Sequence, residues 1–347
     1  RINHVTPGSM AACTPLKSIL SACIDVARQA GEVMKKVKAS GKLDARDKYV
    51  GPSLDQSTLT DPVTIADVES QRLIEHALLK AFPGIIVIGE EGKLAPGEEI
   101  YTPKLDLLND EKFPERYTSI PTADITVWVD PLDGTKSFIM DNLDVVTCLI
   151  GISVRGSATA GVIYYPWRDK LVWGVVGHGI GGDLAPLSSL EPRARRKSVC
   201  WFAELEKLKK HAYAALKTPV GSITGTGSAG NMIIKVMEGE YDSYFHCANN
   251  KWDTCAGEAI LRAVGGTLTD FYGKPYFYDK SMPHRNATGV VASMFDHATY
   301  LPFCGDEAFL KAEEKWGMLY KVASWGCASV ALLASGVIVA RRINQRK

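Results

Sequence analysis

Four acidic segments stand where a strand or helix is expected to begin or end. They are Asp61-Pro62-Val63-Thr64-Ile65-Ala66-Asp67, Gly89-Glu90-Glu91, Asp130-Pro131-Leu132-Asp133-Gly134-Thr135 and Trp252-Asp253. Carboxylates at the mouths of apolar strands lie close to the low-dielectric core, and several cannot stay ionised together without a cation. The donors are oxygens, with no His or Cys among them, which selects a hard ion, Mg²⁺ or Mn²⁺. Metal ions held this way clamp a phosphate and acidify bound water, which is the chemistry of phosphoryl hydrolysis. Pro131 fixes the chain between Asp130 and Asp133 and is read as ending the strand at Asp130. The turn that follows can aim both acids and the Leu132 carbonyl at one point. Gly134 then lets the backbone approach a phosphate closely. Taken singly, Asp67 and Asp253 also pass as helix caps; the four segments together favour the cluster.

These residues need a frame. Leu16, Ile19, Leu20, Cys23, Ile24, Ala27, Met34 and Val37 recur at helical spacing, which predicts an amphipathic helix over about 15–38. Residues 40–60 read as a polar loop. A second helix starts near Asp67 and stops at Pro83-Gly84. Ile85–Ile88 is a short buried strand that delivers Glu90, and Ile125–Val129 is the strand that delivers Asp130. A long, acidic, proline-bearing connection, 93–123, joins them. Strands are expected over 145–154, 158–165 and 170–176, then a loop over 178–197 with a basic run at Arg193, Arg195, Arg196 and Lys197. Helices near 203–216, 229–238 and 253–264 alternate with strands near 220–224, 242–246, 267–271 and 289–293. The first half is therefore α+β (10–177) and the second α/β (178–302).

Composition narrows the function classes. The chain has 347 residues, 46% hydrophobic and 23% charged, with a formal net charge of +1. That describes a globular protein with no global field for nucleic acid, so an anionic substrate must be held locally. The eight cysteines form no C-x-x-C pair, which argues against a disulfide framework or zinc site and for a reducing, cytoplasmic compartment. Residues 1–9 lack periodicity and precede Met10; they read as a remnant ahead of a natural start. Oligomeric state is not legible.

Read in order, Asp67, Glu90-Glu91, Asp130-Pro-Leu-Asp-Gly-Thr135, Trp252-Asp253 and, eleven residues on, Gly265-Gly266 resemble the lithium-sensitive, magnesium-dependent phosphatases of the inositol monophosphatase superfamily. The resemblance covers about residues 15–302. It implies a layered αβαβα sandwich of the inositol monophosphatase/fructose bisphosphatase type. It implies two or three Mg²⁺ ions per site on Glu90, Asp130, the Leu132 carbonyl, Asp133 and Asp253, with inhibition by Li⁺. It implies Asp67 and Thr135 as the pair that orients and deprotonates the attacking water.

Within the superfamily, Val127–Lys136, Leu149–Ile152, Ala160–Ile163, Ser228–Asn231 and Lys251–Ala256 are most similar to the 3′(2′),5′-bisphosphate nucleotidase branch. That implies adenosine 3′,5′-bisphosphate as substrate, with Gly134, Thr135, Ser228, Gly230, Asn231 and Lys251 expected to contact it. One departure is Ser198–Glu204, which lacks the basic residues usual in that branch. Inositol polyphosphate 1-phosphatase activity, on inositol 1,4-bisphosphate, is the alternative. A NAD-dependent dehydrogenase is more remote. Gly225-Thr226-Gly227-Ser228-Ala229-Gly230 matches G-x-G-x-x-G, but the acid expected about 20 residues on is missing.

The C-terminal extension, 303–347, holds an uncharged stretch from Val322 to Ala340, flanked by Lys321 and by Arg341 and Arg342. As a helix it would span roughly 28 Å, close to the ~30 Å hydrocarbon core. Its serines and glycines also suit a helix docked on the enzyme. The tail-anchor reading, with the enzyme facing the cytosol, is the expectation favoured here.

Overall fold

The computed structural model describes residues 12–48, 51–52, 61–97, 99–184, 198–200, 228–246 and 249–301. The leader, the basic run at 193–197, the expected helix 203–216, the strand 220–224, the first glycines of G-x-G-x-x-G and the tail with 322–340 lie outside the described residues. So does most of the Ser198–Glu204 departure. Among the described residues no helix is long and apolar enough to cross a membrane.

Six strands form the first sheet in simple sequence order: β1 (Ile86–Gly89), β2 (Ile125–Asp133), β3 (Thr147–Val154), β4 (Ser157–Tyr165), β5 (Lys170–Val175) and β6 (Gly179–Gly182). β1 and β2 run parallel, and every later neighbour is antiparallel. Both faces of the sheet are covered. Ile125, Val127 and Val129 point into a core shared with α1 (Leu16–Ser40) and α2 (Ile65–Ala81). Trp128, between them, points to the opposite side, toward Trp252 and Tyr278.

On that opposite side lie α4 (Ala229–Met237) and α5 (Lys251–Ala263), after the short α3 (Thr135–Ile139) at the end of β2. Beyond them is a second sheet in the order β7-β8-β10-β9, with β7 Ser198–Cys200, β8 Ser243–His246, β9 Thr267–Thr269 and β10 Val290–Ser293. Leu149, Ile163 and Val172 meet Ile233, Ile260, Tyr244 and Val290 in the core between the two sheets. The described layers thus run helix, sheet, helix, sheet, an α/β sandwich as expected.

Two boundaries differ from the sequence reading. β2 does not stop at Asp130 but continues through Asp133, with a bulge against β3. β6 falls inside the segment read as a loop, and pairs with Val172–Val175. A division at 177/178 therefore cuts through a hairpin. Alternation was invisible there because Gly179–Gly182 is nearly all glycine. β1 is also less buried than Ile86, Val87 and Ile88 imply, because it is an edge strand.

Close approach of α5 to the first sheet rests on glycine. A Cβ on Gly151 would lie 2.6 Å from the Ala256 backbone nitrogen and 2.6 Å from Cys255 Cβ. Neither a helix backbone nor a buried Cβ can yield cheaply. Overpacking of this kind costs typically about 1–3 kcal/mol. Gly151→Ala is therefore expected to lower the urea midpoint with an unchanged m-value, and an unaltered midpoint would show that α5 is not seated on β3 as described.

Candidate active site

The first sheet brings Glu90 and Asp130 together by register. β1 and β2 are parallel, with Gly89 opposite Val129, so the next residue of each strand emerges side by side. The Glu90 N–H donates to the Val129 carbonyl at 3.1 Å, which extends the ladder by one step. Asp133 would point away from Asp130 in a regular strand, since side chains alternate. The bulge removes that parity problem: Asp130 pairs with Leu149 and Asp133 with Thr147, three residues against two. The Leu132 N–H donates to Asp130 Oδ1 at 3.1 Å within this bulge. Gly134 then turns the chain at φ 96°, a left-handed conformation that strains any L side chain, and places Thr135 at the start of α3.

Asp67 sits at the third position of α2. Its Oδ2 accepts the Thr64 N–H at 2.8 Å and the Thr64 hydroxyl at 2.6 Å. The Thr64 hydroxyl oxygen in turn accepts the Ala66 N–H at 3.2 Å. The other carboxylate oxygen, Oδ1, accepts the Thr135 hydroxyl at 2.9 Å. One oxygen of Asp67 thus serves the start of α2 and the other faces Thr135. The Leu132 carbonyl lies 3.2 Å from the same hydroxyl. Asp253 repeats the device on α5, where its Oδ2 accepts the Asn250 N–H at 2.5 Å.

Burial and mutual repulsion dominate the electrostatics. Asp130 is held well above the usual carboxylate range by burial, then by the charges of Glu90, Asp133 and Asp253. Asp253 is raised well above it by burial and by Glu90. Burial lifts Asp67 to about 7, against the hydrogen bonds from Thr64 and with the help of Glu91 and Glu90. Asp133 is lifted by burial to only about 6, because Thr147, Gly230, Ala229 and Ser228 hydrogen-bond to it. Lys48, which sequence reasoning left in a polar loop, reaches into this group. Its ammonium is 2.6 Å from Glu90 Oε1 and 2.9 Å from Glu91 Oε1. Burial alone would lower its pKa, but Glu90, Glu91 and Asp61 push it above its ordinary value.

The donor set fits a hard divalent cation. It consists of buried carboxylates that raise one another's pKa, together with a backbone carbonyl, and no soft ligand. As they stand, no three acids, imidazoles or thiolates among the described residues converge closely enough to hold an ion. The carboxylates approach one another in pairs, Asp130 with Glu90 and Asp130 with Asp253.

The residues expected to contact substrate are placed differently. Gly134 and Thr135 are half-buried beside the acids. Ser228, Gly230 and Asn231 are buried at the start of α4, where most of their polar groups are taken, while Asn231 Nδ2 has no hydrogen-bond partner among the described residues. The Ala229 and Gly230 N–H groups donate to Asp133 at 2.9 and 2.8 Å, and Ser228 Oγ donates to the Val145 carbonyl at 2.7 Å. Asn231 Oδ1 faces the Tyr165 hydroxyl at 3.4 Å. A carboxylate of this chain thus occupies the helix N-terminus expected to cradle a ligand. Lys251 is also corrected. Only 3% exposed, its ammonium lies 3.4 Å from Asn286 Oδ1 and over the rings of Tyr276 and Tyr278. Lys251 and Asp253 are two residues apart, about half a turn of α5, so they leave the helix on opposite sides. Thr147, whose hydroxyl donates to Asp133 Oδ2 at 2.6 Å, was missed; a threonine in an apolar strand carries no signal by itself.

The raised pKa of Asp67 has a stability consequence. Its folded value, about 7, exceeds its ordinary 3.8, so the folded state binds the proton more tightly than the unfolded chain. Its contribution is favourable at low pH and is lost as pH rises from about 4 to about 7. The metal-free protein is expected to lose melting temperature across that window, and Asp67→Asn to lessen the loss. Equal slopes for the two proteins would contradict the burial of this carboxylate.

Comparison with known proteins agrees with this geometry. Residues 16–299 match the model of the inositol monophosphatase family. The chain is 34% identical over 301 residues to 3′(2′),5′-bisphosphate nucleotidase 1 of Rattus norvegicus, covering 82% of this chain and 93% of that one. It is 34% identical over 308 residues to 3′(2′),5′-bisphosphate nucleotidase 1 of Homo sapiens, covering 83% and 94%. The extragenic suppressor protein suhB from Bartonella henselae superposes with a TM-score of 0.62 at 20% identity, over 84% of this chain and 99% of that one, a likeness of fold. The family match over residues 16–299 and the 34% identity to these relatives lead to one conclusion: the chain belongs to the inositol monophosphatase family.

Proposed function

We propose that this protein is a Mg²⁺-dependent phosphomonoesterase that removes the 3′-phosphate of adenosine 3′,5′-bisphosphate, giving AMP and phosphate. The observation that carries the hydrolytic reading is the 2.9 Å bond between Thr135 and Asp67, set beside four clustered acids. The nucleotide preference is supported by the printed names of the relatives, which cover more than four fifths of the chain.

The residues that would hold Mg²⁺ are Glu90, Asp130, Asp133 and Asp253, with the Leu132 carbonyl. When bound, the ion supplies positive charge that stabilises the phosphate oxygens and makes nearby water more acidic. The chain's own part begins with Thr135. Its hydroxyl donates to Asp67, which leaves the oxygen lone pairs free to accept a proton from water. As that water attacks phosphorus, its proton passes to Thr135 Oγ and the threonine proton passes to Asp67, while the bond from phosphorus to the ribose 3′-oxygen breaks and that oxygen leaves with AMP, taking a proton from solvent. A carboxylate lifted to about 7 is suited to act as a base near neutrality. Thr64 keeps the other oxygen of Asp67 occupied, so only one oxygen faces Thr135. No side chain needs to form a covalent bond to phosphorus.

Activity is expected to vanish in chelator, to return with Mg²⁺ and to fall with added Li⁺. Thr135→Ala is expected to lower kcat about 10²–10⁴-fold with a small change in KM. Undiminished turnover in that variant would remove Thr135 from proton transfer. Substrate choice is tested by phosphate release from adenosine 3′,5′-bisphosphate and inositol 1,4-bisphosphate in parallel. The nucleotide is expected to have the higher kcat/KM; the opposite order would replace this reading with the inositol polyphosphate 1-phosphatase one.

A further inference from the structure

Gln71 lies four residues after Asp67, on the same face of α2, and is fully buried. Its carboxamide is used at both ends. Oε1 accepts the Glu91 N–H at 2.8 Å, and Nε2 donates to the Gly92 carbonyl at 2.6 Å. The side chain thus reads the turn after β1 as a neighbouring strand would, one acceptor and one donor in register. Gly89 makes room for it. A Cβ there would overlap the carboxamide, with Nε2 only 2.6 Å away. Glu90 sits between two anchors: its own N–H is tied to Val129, one residue before Asp130, and the next N–H is tied to α2.

We propose that Gln71 is a positioning residue. It fixes the Glu90-Glu91 turn relative to Asp67, so that the metal-facing carboxylate and the proton-accepting carboxylate keep one geometry. α2 carries Asp67 and β1 carries Glu90, and Gln71 ties the helix directly to the turn after that strand. Only an uncharged side chain with both a donor and an acceptor meets the Glu91 N–H and the Gly92 carbonyl together. Glutamate would set a carboxylate oxygen against the Gly92 carbonyl and add a negative charge beside Glu75 and Glu91, whose carboxyls are already raised by burial. Methionine would keep the volume and lose both bonds.

The inference rests on the Mg²⁺-dependent reading above. The test follows the rise in melting temperature on titration with MgCl₂ alone, and separately the kinetics, for wild type, Gln71→Met and Gln71→Glu. Both variants are expected to raise the half-saturating Mg²⁺ concentration about tenfold or more, the size of effect that follows from losing one well-buried hydrogen bond. At saturating metal, kcat falls while the substrate KM stays within about threefold. If Gln71→Met does not fold, Gln71→Glu, which keeps the shape and the acceptor, carries the comparison. A lower metal-free melting temperature with an unchanged Mg²⁺ midpoint would make Gln71 a packing residue and overturn the proposal, as would wild-type behaviour throughout. A wild-type protein that gains no stability from Mg²⁺ would instead sink the metal reading, and this inference with it.

Discussion

Asp67, Asp130 and Asp133 are drawn out of water into one region, with the half-buried Asp253, Glu90 and Glu91 beside them. Burying ionised groups together is among the costliest arrangements a fold can hold, and the rest of the structure depends on how that cost is met. Part of it is met by hydrogen bonds from the backbone. Asp67 and Asp253 each cap the helix that carries them, and Asp133 receives the first N–H groups of α4. Lys48 offsets Glu90 and Glu91. Asp130 receives one backbone N–H, from Leu132, and is held well above the ordinary range. The cluster therefore carries negative charge that its protein partners offset only in part.

Helix capping draws on the same carboxylates that make up the cluster. A helix N-terminus stabilises an anion through free N–H groups and the macrodipole. Three of the helices that begin at the site meet a carboxylate at their N-terminus, and at two of them, α2 and α5, the acid belongs to the helix's own first turn. At the third, α4, the acid comes from β2 nearly a hundred residues earlier. This long-range bond couples the two halves of the chain. It also changes the meaning of the glycines in Ser228-Ala229-Gly230: Gly230 lacks a Cβ because Asp133, Thr147 and Leu149 fill that space.

Two glycines on the first sheet extend the same logic to packing. Gly151 lets α5 lie directly on β3, which brings Asp253 within reach of Asp130, and Gly89 admits the Gln71 carboxamide to the turn that holds Glu90. The positions of the acids are set by backbone-level contacts, which tolerate less displacement than side-chain packing does.

The sequence by itself determined α1, α2, α4 and α5 and the strands that lead to Glu90 and Asp130. Those features are local: apolar periodicity, chain direction at Pro and Gly, and acids placed at predicted element ends. It also offered Asp67 and Asp253 as helix caps. Only tertiary structure decided that Asp130 and Asp133 share a side, since that needs a bulge against β3. Only tertiary structure turned Lys251 inward while Asp253, two residues on, faces the cluster. Lys48, Gln71 and Thr147 were likewise illegible, because each acquires its role from a partner distant in sequence. A linear pattern records which groups can do chemistry; which oxygen faces which proton depends on register, bulges and helix rotation, and those are settled by packing.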